Sequence, residues 1–516
     1  MRRPDETWKS LRELVSGPAL LLPASFPLLV STLLGAGTEA AGSIDEKASL
    51  VGALVQTEDA ASLDLVVAVH LKNGRSLVAA LTTGQSGRFT GERDAKSGIL
   101  LLAPKRGKEA LELALGVVGD RLLVAGSRAA LFAGGPYVAR TLPKRPAPAE
   151  PVVVLAQRDM LRGPIARSLQ RAWRRQEQDL RARARDDRAA YGGRAPDFGE
   201  PQAIVDGLSA TVASATGFLE SLGEARLVLV PLADRLDARL EARAEPGGAA
   251  SQILAKSVRG DLAPLLRLPA LSLLGALVRS SAPSREESAR TMASGIASIF
   301  GERLSEPERA KLEAALLALA RGRGDETTLG ITQSGLVLRT AVADRAELER
   351  GIRGALDILG LPAVKRPIES LLGPLTVTRS TARIEGLAGP AGRASFRVRP
   401  RGMPSVRPLE LLWAIDGDEL FAALSFDAEA ALGELVKAEA PGASLASDAR
   451  LRSAAERTGG DAGFGVLLDP ALLPGPQSPA QGAGYVLLSG SGGGDRAVLR
   501  AEISKAALAS LASLAD

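Results

Sequence analysis

The chain has 516 residues, of which 46% are hydrophobic and 24% charged, a composition typical of a globular protein with two to four domains. It has no Cys and one His, His70, which excludes disulfides, thiolate metal sites, a Cys nucleophile, a lipoprotein anchor and a multi-His metal site within one chain. The net charge is only +5, from 64 basic and 59 acidic residues, so only clustered Arg residues would indicate an anionic partner.

Residues 14–38 carry no formal charge and form the first candidate element. Three prolines inside this run each remove a helical N–H, which argues against a transmembrane helix. Arg2 and Arg3 would suit a secretory signal, but acidic residues interrupt the leader and no small-x-small cleavage site follows. We therefore expect a buried strand, turn and helix here, with a secretory signal as the alternative.

Six strand–turn–strand patterns follow, each typical of a β-hairpin, and the first turns at Asn73-Gly74, a strong hairpin signal. Ala- and Leu-rich stretches that predict helices follow five of them. Hairpins packed under helices predict an α+β fold with antiparallel sheets covered by helices on one face, not a doubly wound parallel sheet. The strand pairs are 63–71 with 76–81, 111–118 with 122–125, 227–231 with 236–243, 329–332 with 336–342, 409–415 with 420–426, and 485–489 with 497–503 around a glycine-rich tip at 490–495. The helices are expected to begin near Arg128, Gly248, Arg345, Ala428 and Lys505.

Two hairpin–helix units resemble each other in sequence. When Gly119-Asp120 is aligned with Gly417-Asp418, seven of the 17 positions in 117–133 and 415–431 are identical. An apolar strand that ends in Asp follows each unit, at 152–159 and at 465–469. This pattern predicts an internal duplication in which the hairpins and the final strands have the same strand order.

Composition divides the chain into four segments. They are an N-terminal hairpin and helix module at 1–150, a strand with a long helical arm and linker at 151–222, a middle hairpin with helices at 223–322, and a C-terminal hairpin and helix module at 323–516.

Helical zones separate the hairpin segments. The pattern at 160–190 predicts one long helix, and 285–321 predicts two helices, the second beginning with a capping box of Ser305 and Glu308. Pro- and Gly-rich composition predicts loops at 143–151 and 191–201.

Arg residues recur at heptad-like steps along the helix predicted at 160–190. Between 162 and 188 nine Arg residues stand against four carboxylates. Six of the guanidinium groups would form a ridge about 30 Å long, at 1.5 Å per residue. The ridge would bind nucleic acid, an anionic lipid or an acidic partner, or it would be an ordinary solvated helix face in an Arg-rich chain. Its members are Arg167, Arg171, Arg174, Arg181, Arg185 and Arg188.

Other motifs favour structural interpretations, and none indicates a cofactor. The G-x-G-x-x-A match at 35–40 lacks a βαβ context and is expected to be a loop. His70 is expected to be structural or at the surface, and Asp159 and Asp469 to be turn or cap residues rather than a catalytic pair. No G-x-S-x-G or similar catalytic signature is present.

The order of elements at 415–472 carries a resemblance. A hairpin at 415–426 is followed by a helix, by Ser444-Leu445-Ala446-Ser447-Asp448 before a second helix, and by a strand ending at Asp469. This order resembles a loosely defined family of uncharacterised bacterial envelope proteins. The stretch 117–161 matches its hairpin, helix and final strand but lacks the Ser-Leu-Ala-x-Asp segment. The resemblance implies export to the periplasm or cell envelope, no known enzyme activity and no catalytic residues.

Three functional hypotheses follow. The first is a non-enzymatic scaffold or binding protein of the bacterial envelope, whose partner is a protein or an anionic polymer or lipid. The second is an anion-binding module that acts through the Arg ridge at 167–188. The third is a hydrolase that uses carboxylates or Ser in a cleft. We expect no transmembrane helix, and no specific nucleic-acid motif is present.

Overall fold

A computed structural model describes residues 1–15, 21–36, 38–57, 63–83, 87–105, 113–190, 201–398, 407–472 and 484–515. Within these ranges the strands form two antiparallel sheets, of six and thirteen strands, with helices packed against them. The α+β prediction is therefore confirmed. The loop predicted at 143–151 is largely irregular, as expected, whereas residues 191–200 of the second predicted loop lie outside the described residues.

The first 150 residues form the smaller sheet and its helices. One face packs against α2–α4 through Phe26, Leu77 and Leu115, and the other packs against α5 through Val66 and Leu131. The elements are α1 (Pro4–Val15), α2 (Phe26–Leu33), α3 (Thr38–Gly42), β1 (Val51–Gln56), β2 (Leu63–His70), α4 (Gly74–Thr82), β3 (Phe89–Arg93), β4 (Leu100–Pro104), β5 (Ala114–Val118), β6 (Arg121–Ala125) and α5 (Arg128–Arg140).

The remainder forms the larger sheet. The predicted boundary at 150 lies just before β7, the first strand of this sheet in the chain. The boundary at 222 lies on the first residue of β8 and that at 322 lies directly before β11, so both fall within the one sheet. Its elements are β7 (Val152–Gln157), α6 (Arg158–Met160), α7 (Ala166–Ala190), α8 (Pro201–Glu220), β8 (Leu222–Pro231), β9 (Arg235–Ala244), α9 (Ala249–Ala255), α10 (Ala263–Leu266), β10 (Ser272–Arg279), α11 (Ala282–Phe300), α12 (Glu306–Gly322), β11 (Arg323–Thr332), β12 (Leu336–Val342), α13 (Arg345–Ile358), α14 (Pro362–Leu372), β13 (Leu375–Ala382), β14 (Ala391–Val398), β15 (Leu409–Asp416), β16 (Glu419–Ser425), α15 (Ala428–Lys437), α16 (Ala449–Thr458), β17 (Phe464–Leu468), β18 (Val486–Gly493), β19 (Arg496–Ser504) and α17 (Lys505–Ala515).

Three groups of six strands share one strand order. The N-terminal unit has the order β1-β2-β6-β5-β4-β3, the inner unit β11-β12-β16-β15-β14-β13, and the outer unit β8-β9-β19-β18-β17-β10. In chain order each unit therefore places its first, second, sixth, fifth, fourth and third strands side by side. The inner unit is inserted between the third and fourth strands of the outer unit, and β10 and β11 join the two into one sheet.

The hairpin between the fifth and sixth strands turns in the same way in all three units. Its tip is Gly119-Asp120, Gly417-Asp418 or Gly494-Asp495, and the three Gly φ values are +60°, +55° and +59°. Only Gly adopts this left-handed conformation without strain. The carbonyl of each tip Asp accepts a hydrogen bond from a backbone N–H at the end of the unit's second strand, at 2.6–2.8 Å.

The structure does not confirm the predicted internal duplication. The strand order does show where the two hairpins and the two final strands of that prediction lie. The two aligned hairpins occupy equivalent positions in their units. The two final strands do not, because β7 pairs with β8 at the end of the larger sheet while β17 lies between β10 and β18. The prediction of equivalent final strands is therefore wrong, and common descent of the units stays a hypothesis.

Two local predictions are also wrong. Asn73-Gly74 does not turn a hairpin, because the Asn73 side chain accepts a hydrogen bond from the Ser76 N–H and caps α4. In the described part of 14–38 no strand occurs: α2 and the start of α3 are helical, with Phe26 and Val30 in the core. The other five hairpins are confirmed, although β18 extends into the expected tip as far as Gly493.

The helix predictions are confirmed. Helices begin within two residues of all five expected positions, and the long helix at 160–190 is formed by α6, a π-helical turn at Leu161–Ile165 and α7. The two helices at 285–321 are α11 and α12, and Ser305 and Glu308 form the expected capping box.

Candidate functional site

The helix that carries the Arg ridge forms one half of a two-helix arm, α7 packed antiparallel on α8. The Ser209 hydroxyl of α8 donates to the Glu177 carboxylate of α7 at 2.9 Å, and Val205 and Thr216 of α8 are buried. The hydrogen bonds from Arg181 and Ser209 hold the pKa of Glu177 below its ordinary value. In α7 itself only Ala166 and Ala184 are buried, so most of this helix faces solvent.

The six predicted ridge residues lie on this arm, with different surroundings. Arg167, Arg174, Arg185 and Arg188 are exposed, and Arg171 and Arg181 are partly buried. Arg181 pairs with Glu177 at 2.7 Å and with Asp206 of α8 at 2.9 Å. Its charge is therefore already matched by two carboxylates.

Two further ridge residues form hydrogen bonds but no ion pair with a described carboxylate. Arg167 donates to the amide oxygen of Gln56 at 3.0 Å, and Arg171 donates to the Arg167 carbonyl and the Ser168 hydroxyl. In the part of the chain that the structure describes, Arg174 and Arg185 form no ion pair and no hydrogen bond from their side chains. Arg167, Arg174 and Arg185 therefore present exposed cationic groups without a carboxylate partner.

The arm separates its charged and apolar faces. On α8, Val205 and Ser209 face α7, and adjacent helical residues are turned by about 100° from each other. Asp206 lies on the side that reaches Arg181, so the Arg ridge lies on that side. Ile204 and Leu208 lie on the opposite side of the arm from the Arg ridge. They are 43% and 45% exposed.

The single His is held between two carboxylates. His70 Nδ1 lies 3.0 Å from Asp45 Oδ2, and Nε2 lies 3.0 Å from Asp120 Oδ2. A neutral imidazole has one N–H, so only the imidazolium form donates to both carboxylates. Burial raises the pKa of Asp45, but the N–H groups of Lys47 and Ala48 and the His70 ring outweigh it and hold this pKa below its ordinary value. No described hydroxyl contacts the ring, and the contacts connect β2 to the Gly119-Asp120 turn and to Asp45.

Carboxylates also line a small cavity beside Tyr485, which is where a hydrolase interpretation would be tested. Asp448 caps α16, and Asp469 accepts a hydrogen bond from the Ala471 N–H, so both act as caps. Burial raises the pKa of Asp469. The cavity has a volume of about 50 Å³, close to the space of one or two waters rather than of a substrate. Asp159, the other predicted turn residue, lies in the first turn of α6.

A buried charge network lies behind this cavity. The Glu502 carboxylate is 1% exposed and accepts hydrogen bonds from Arg457 at 2.6 and 2.9 Å and from the Tyr485 hydroxyl at 2.6 Å. Burial together with the neighbouring Glu502 raises the pKa of Tyr485, and the Glu502 hydrogen bonds raise that of Arg457. Both Glu502 oxygens, two Arg457 nitrogens and the Tyr485 hydroxyl are thus hydrogen-bonded to one another, which is the arrangement of a structural network.

A groove that the sequence did not indicate lies over Trp413, with a volume of about 460 Å³. Trp413 of β15 is the cross-strand partner of Gly392 of β14. A Cβ atom at position 392 would lie 2.4 Å from the indole ring, so the ring lies directly over the glycine. Helix α13 forms one wall and residues 387–390 form the other.

The described part of the chain forms neither a metal site nor a dinucleotide site. The described residues contain no group of three or more His, Asp or Glu side chains that could hold a metal ion. The G-x-G-x-x-A match follows α2 instead of a strand, and its Gly37 lies outside the described residues. A search of the described helices for one with the length and hydrophobicity of a membrane span finds none.

Comparison with protein-family models, with curated proteins and with solved structures found no match for this chain.

Proposed function

We propose that this chain is a non-enzymatic binding protein that holds an extended anionic polymer along α7. The observation that carries the proposal is the line of exposed guanidinium groups at Arg167, Arg174 and Arg185, which have no carboxylate partner among the described residues. They lie along about 27 Å of one helix, at 1.5 Å per residue. A linear array of this kind matches a linear polyanion better than a compact ion.

The separation of faces favours a polymer over a membrane surface. A helix that lies on a membrane buries apolar side chains on the face whose flanks carry basic residues. Here Ile204 and Leu208 lie on the side of the arm away from the ridge. A phosphate-bearing polymer needs only cationic contacts, each of which releases condensed counterions. The three six-stranded units then form the framework from which the arm extends.

The test is binding of a fluorescently labelled short single-stranded DNA, as the polyanion probe, to the full chain. We expect the triple variant Arg167→Gln, Arg174→Gln and Arg185→Gln to lose at least tenfold in affinity at low salt. The matched control is Arg366→Gln, Arg383→Gln and Arg496→Gln, which removes the same charge from exposed Arg residues elsewhere. The control should retain the affinity of the natural sequence.

Equal affinities of the two triple variants would overturn the proposal, because binding would then follow net charge alone. Binding to vesicles of anionic phospholipid that depends on Ile204 and Leu208 would replace the polymer with a membrane surface. The envelope location stays a prediction from the resemblance, and cell fractionation tests it: recovery only from the cytosol would contradict it.

A further inference from the structure

We propose that the groove over Trp413 binds a small molecule that combines a planar ring system with a carboxylate or phosphate group. This site is separate from the α7 arm and does not depend on the function proposed for it.

The floor of the groove is built to present an aromatic surface. Gly392 has no side chain, so the Trp413 indole lies across it and one ring face remains open toward α13. The indole N–H donates to no acceptor among the described residues. Ile352 of α13 and Leu387 add apolar walls. Flat rings stack favourably on such a surface, which defines one half of the ligand.

The charges of the groove are divided between its two ends. The Val342 N–H bonds the Asp418 carbonyl, so the end of β12 lies beside the Gly417-Asp418 turn, and α13 begins there. Arg345, at the start of α13, pairs with Glu349 at 3.1 Å, and Asp416 lies at the same end of β15. This end of the groove therefore has one cation, already paired, and two carboxylates, so it offers no free cation to an anionic ligand.

The other end carries a cation without a carboxylate partner. Arg353 lies two turns along α13, about 12 Å from Arg345. Its Nε atom donates to the Glu349 carbonyl at 3.2 Å, and no described carboxylate pairs with its guanidinium. Trp413 lies three residues before Asp416, about 10 Å from that end of the strand. Arg353 and Trp413 are thus at the same end, and one ligand can stack on the ring while its anionic group reaches the guanidinium.

The volume sets the size of the ligand. About 460 Å³ is within the range of pockets for small molecules, and the open mouth admits a ligand without any movement of the chain. A bidentate carboxylate or phosphate contact suits the planar guanidinium of Arg353.

Calorimetric titration of the full chain with 2-naphthoate, 2-naphthalenemethanol and acetate tests both halves of the ligand. We expect 2-naphthoate to bind one molecule per chain, the alcohol to bind at least tenfold more weakly, and acetate to show no binding. Arg353→Gln should lower the affinity for 2-naphthoate to that for the alcohol. Trp413→Leu should lower the affinity for both naphthalene compounds at least tenfold.

Arg350→Gln is the matched control, because Arg350 is an exposed Arg on the same helix that pairs with Glu347 outside the groove. It should leave all affinities unchanged. Gly392→Ala is a second test of the floor, since the new Cβ displaces the ring, and its far-UV circular dichroism should match that of the natural sequence. Absence of 2-naphthoate binding at millimolar concentration, or binding that survives both Arg353→Gln and Trp413→Leu, would overturn the proposal.

Discussion

The N-terminal unit and the inner unit have the same strand order but differ in what covers one face of the sheet. Four residues before the tip glycine of the fifth strand, the N-terminal unit has Leu115, paired with Leu102 and 1% exposed beneath α2–α4. At the same position the inner unit has Trp413, paired with Gly392 and open to a groove. The outer unit has Gly490 there, paired with Phe464, which is 37% exposed.

The three units therefore share a strand order and turns. What differs is which part of each sheet its helices cover, and a binding surface remains where a sheet is not covered. The helix pairs that precede the inner and outer units also differ in how they are packed. Leu312, Ala315 and Ala318 are buried in α12, so the α11–α12 pair is packed into the molecule. The α7–α8 pair precedes the outer unit and projects as the Arg arm. The Trp413 groove and the Arg arm, the two proposed binding features, therefore both lie where the helices of one unit pack differently from those of the other units.

The largest expected change in stability concerns Leu115 and Trp413, which occupy the same position in the N-terminal and inner units. Leu115→Ala should destabilise the N-terminal unit by about 2–5 kcal/mol, because it leaves a cavity in a closed core. Trp413→Leu should cost less than half as much, since one face of the ring is already open. Urea unfolding followed through Trp8, which packs against the N-terminal core, measures the first effect, and far-UV circular dichroism measures the second. Equal losses would mean that the groove is a packed core position.

A second prediction concerns the contacts of the single His, which only the N-terminal unit has. The depressed pKa of Asp45 means that its carboxylate adds stability above its ordinary pKa and loses this contribution as the pH falls through the lower, folded-state pKa. Asp45→Asn should therefore destabilise the chain at neutral pH by about 1.5–3 kcal/mol, the range for hydrogen bonds to charged groups. The difference between the two proteins should shrink at acidic pH. Thermal unfolding from pH 7 to pH 3 measures it, and a constant difference would argue against the depressed pKa.

The three tip glycines offer a direct comparison of the units. Gly119→Ala, Gly417→Ala and Gly494→Ala should each cost about 1–2 kcal/mol, because Ala is strained at positive φ while a Cβ at each position has open space around it. Gly460→Ala is the control, since its Cβ also has open space and its φ is not positive. Thermal midpoints of the four variants measure the costs. A control as costly as the tip variants would show that the left-handed turns are not the cause.

The smallest effect concerns the helix caps after the second strands. Asn73 caps α4 in the N-terminal unit and Asp344 caps α13 in the inner unit, each accepting from the N–H three residues on. Replacing either residue with Ala should cost about 1 kcal/mol. Asn73→Ser and Asp344→Asn keep a capping oxygen and should cost little. If only one of the two Ala variants lost stability, the two cap positions would not be equivalent.

The sequence predicted much of the framework because short-range chemistry encodes it. Glycine followed by Asp between apolar runs predicted the hairpin tips, and helical spacing predicted α7 and α12. Asn73-Gly74 misled the prediction because the same dipeptide suits a hairpin turn and a helix cap. The signal that distinguishes them is the four-residue spacing of Leu77 and Leu81, both buried on one face of α4.

The parts that could not be predicted depend on partners that are distant in the chain. The pairing of Trp413 with Gly392 requires the register of β14 and β15, which neither residue encodes alone. The ion pair of Arg181 with Asp206 joins two different helices, so the sequence alone could not show that the charge of Arg181 is matched. The strand order shared by the three units depends on contacts between strands that are far apart in sequence. The only sign of it in the sequence was the alignment of two hairpins.

The most direct test of the central claim is the salt dependence of single-stranded DNA binding. If three arginines of α7 contact phosphates, the logarithm of the association constant should fall with the logarithm of salt concentration with a slope of about −2, at about −0.7 per contact. The Arg167→Gln, Arg174→Gln and Arg185→Gln triple variant should show a slope near zero, and the Arg366→Gln, Arg383→Gln and Arg496→Gln control should keep the original one. The same slope in all three proteins would contradict the account.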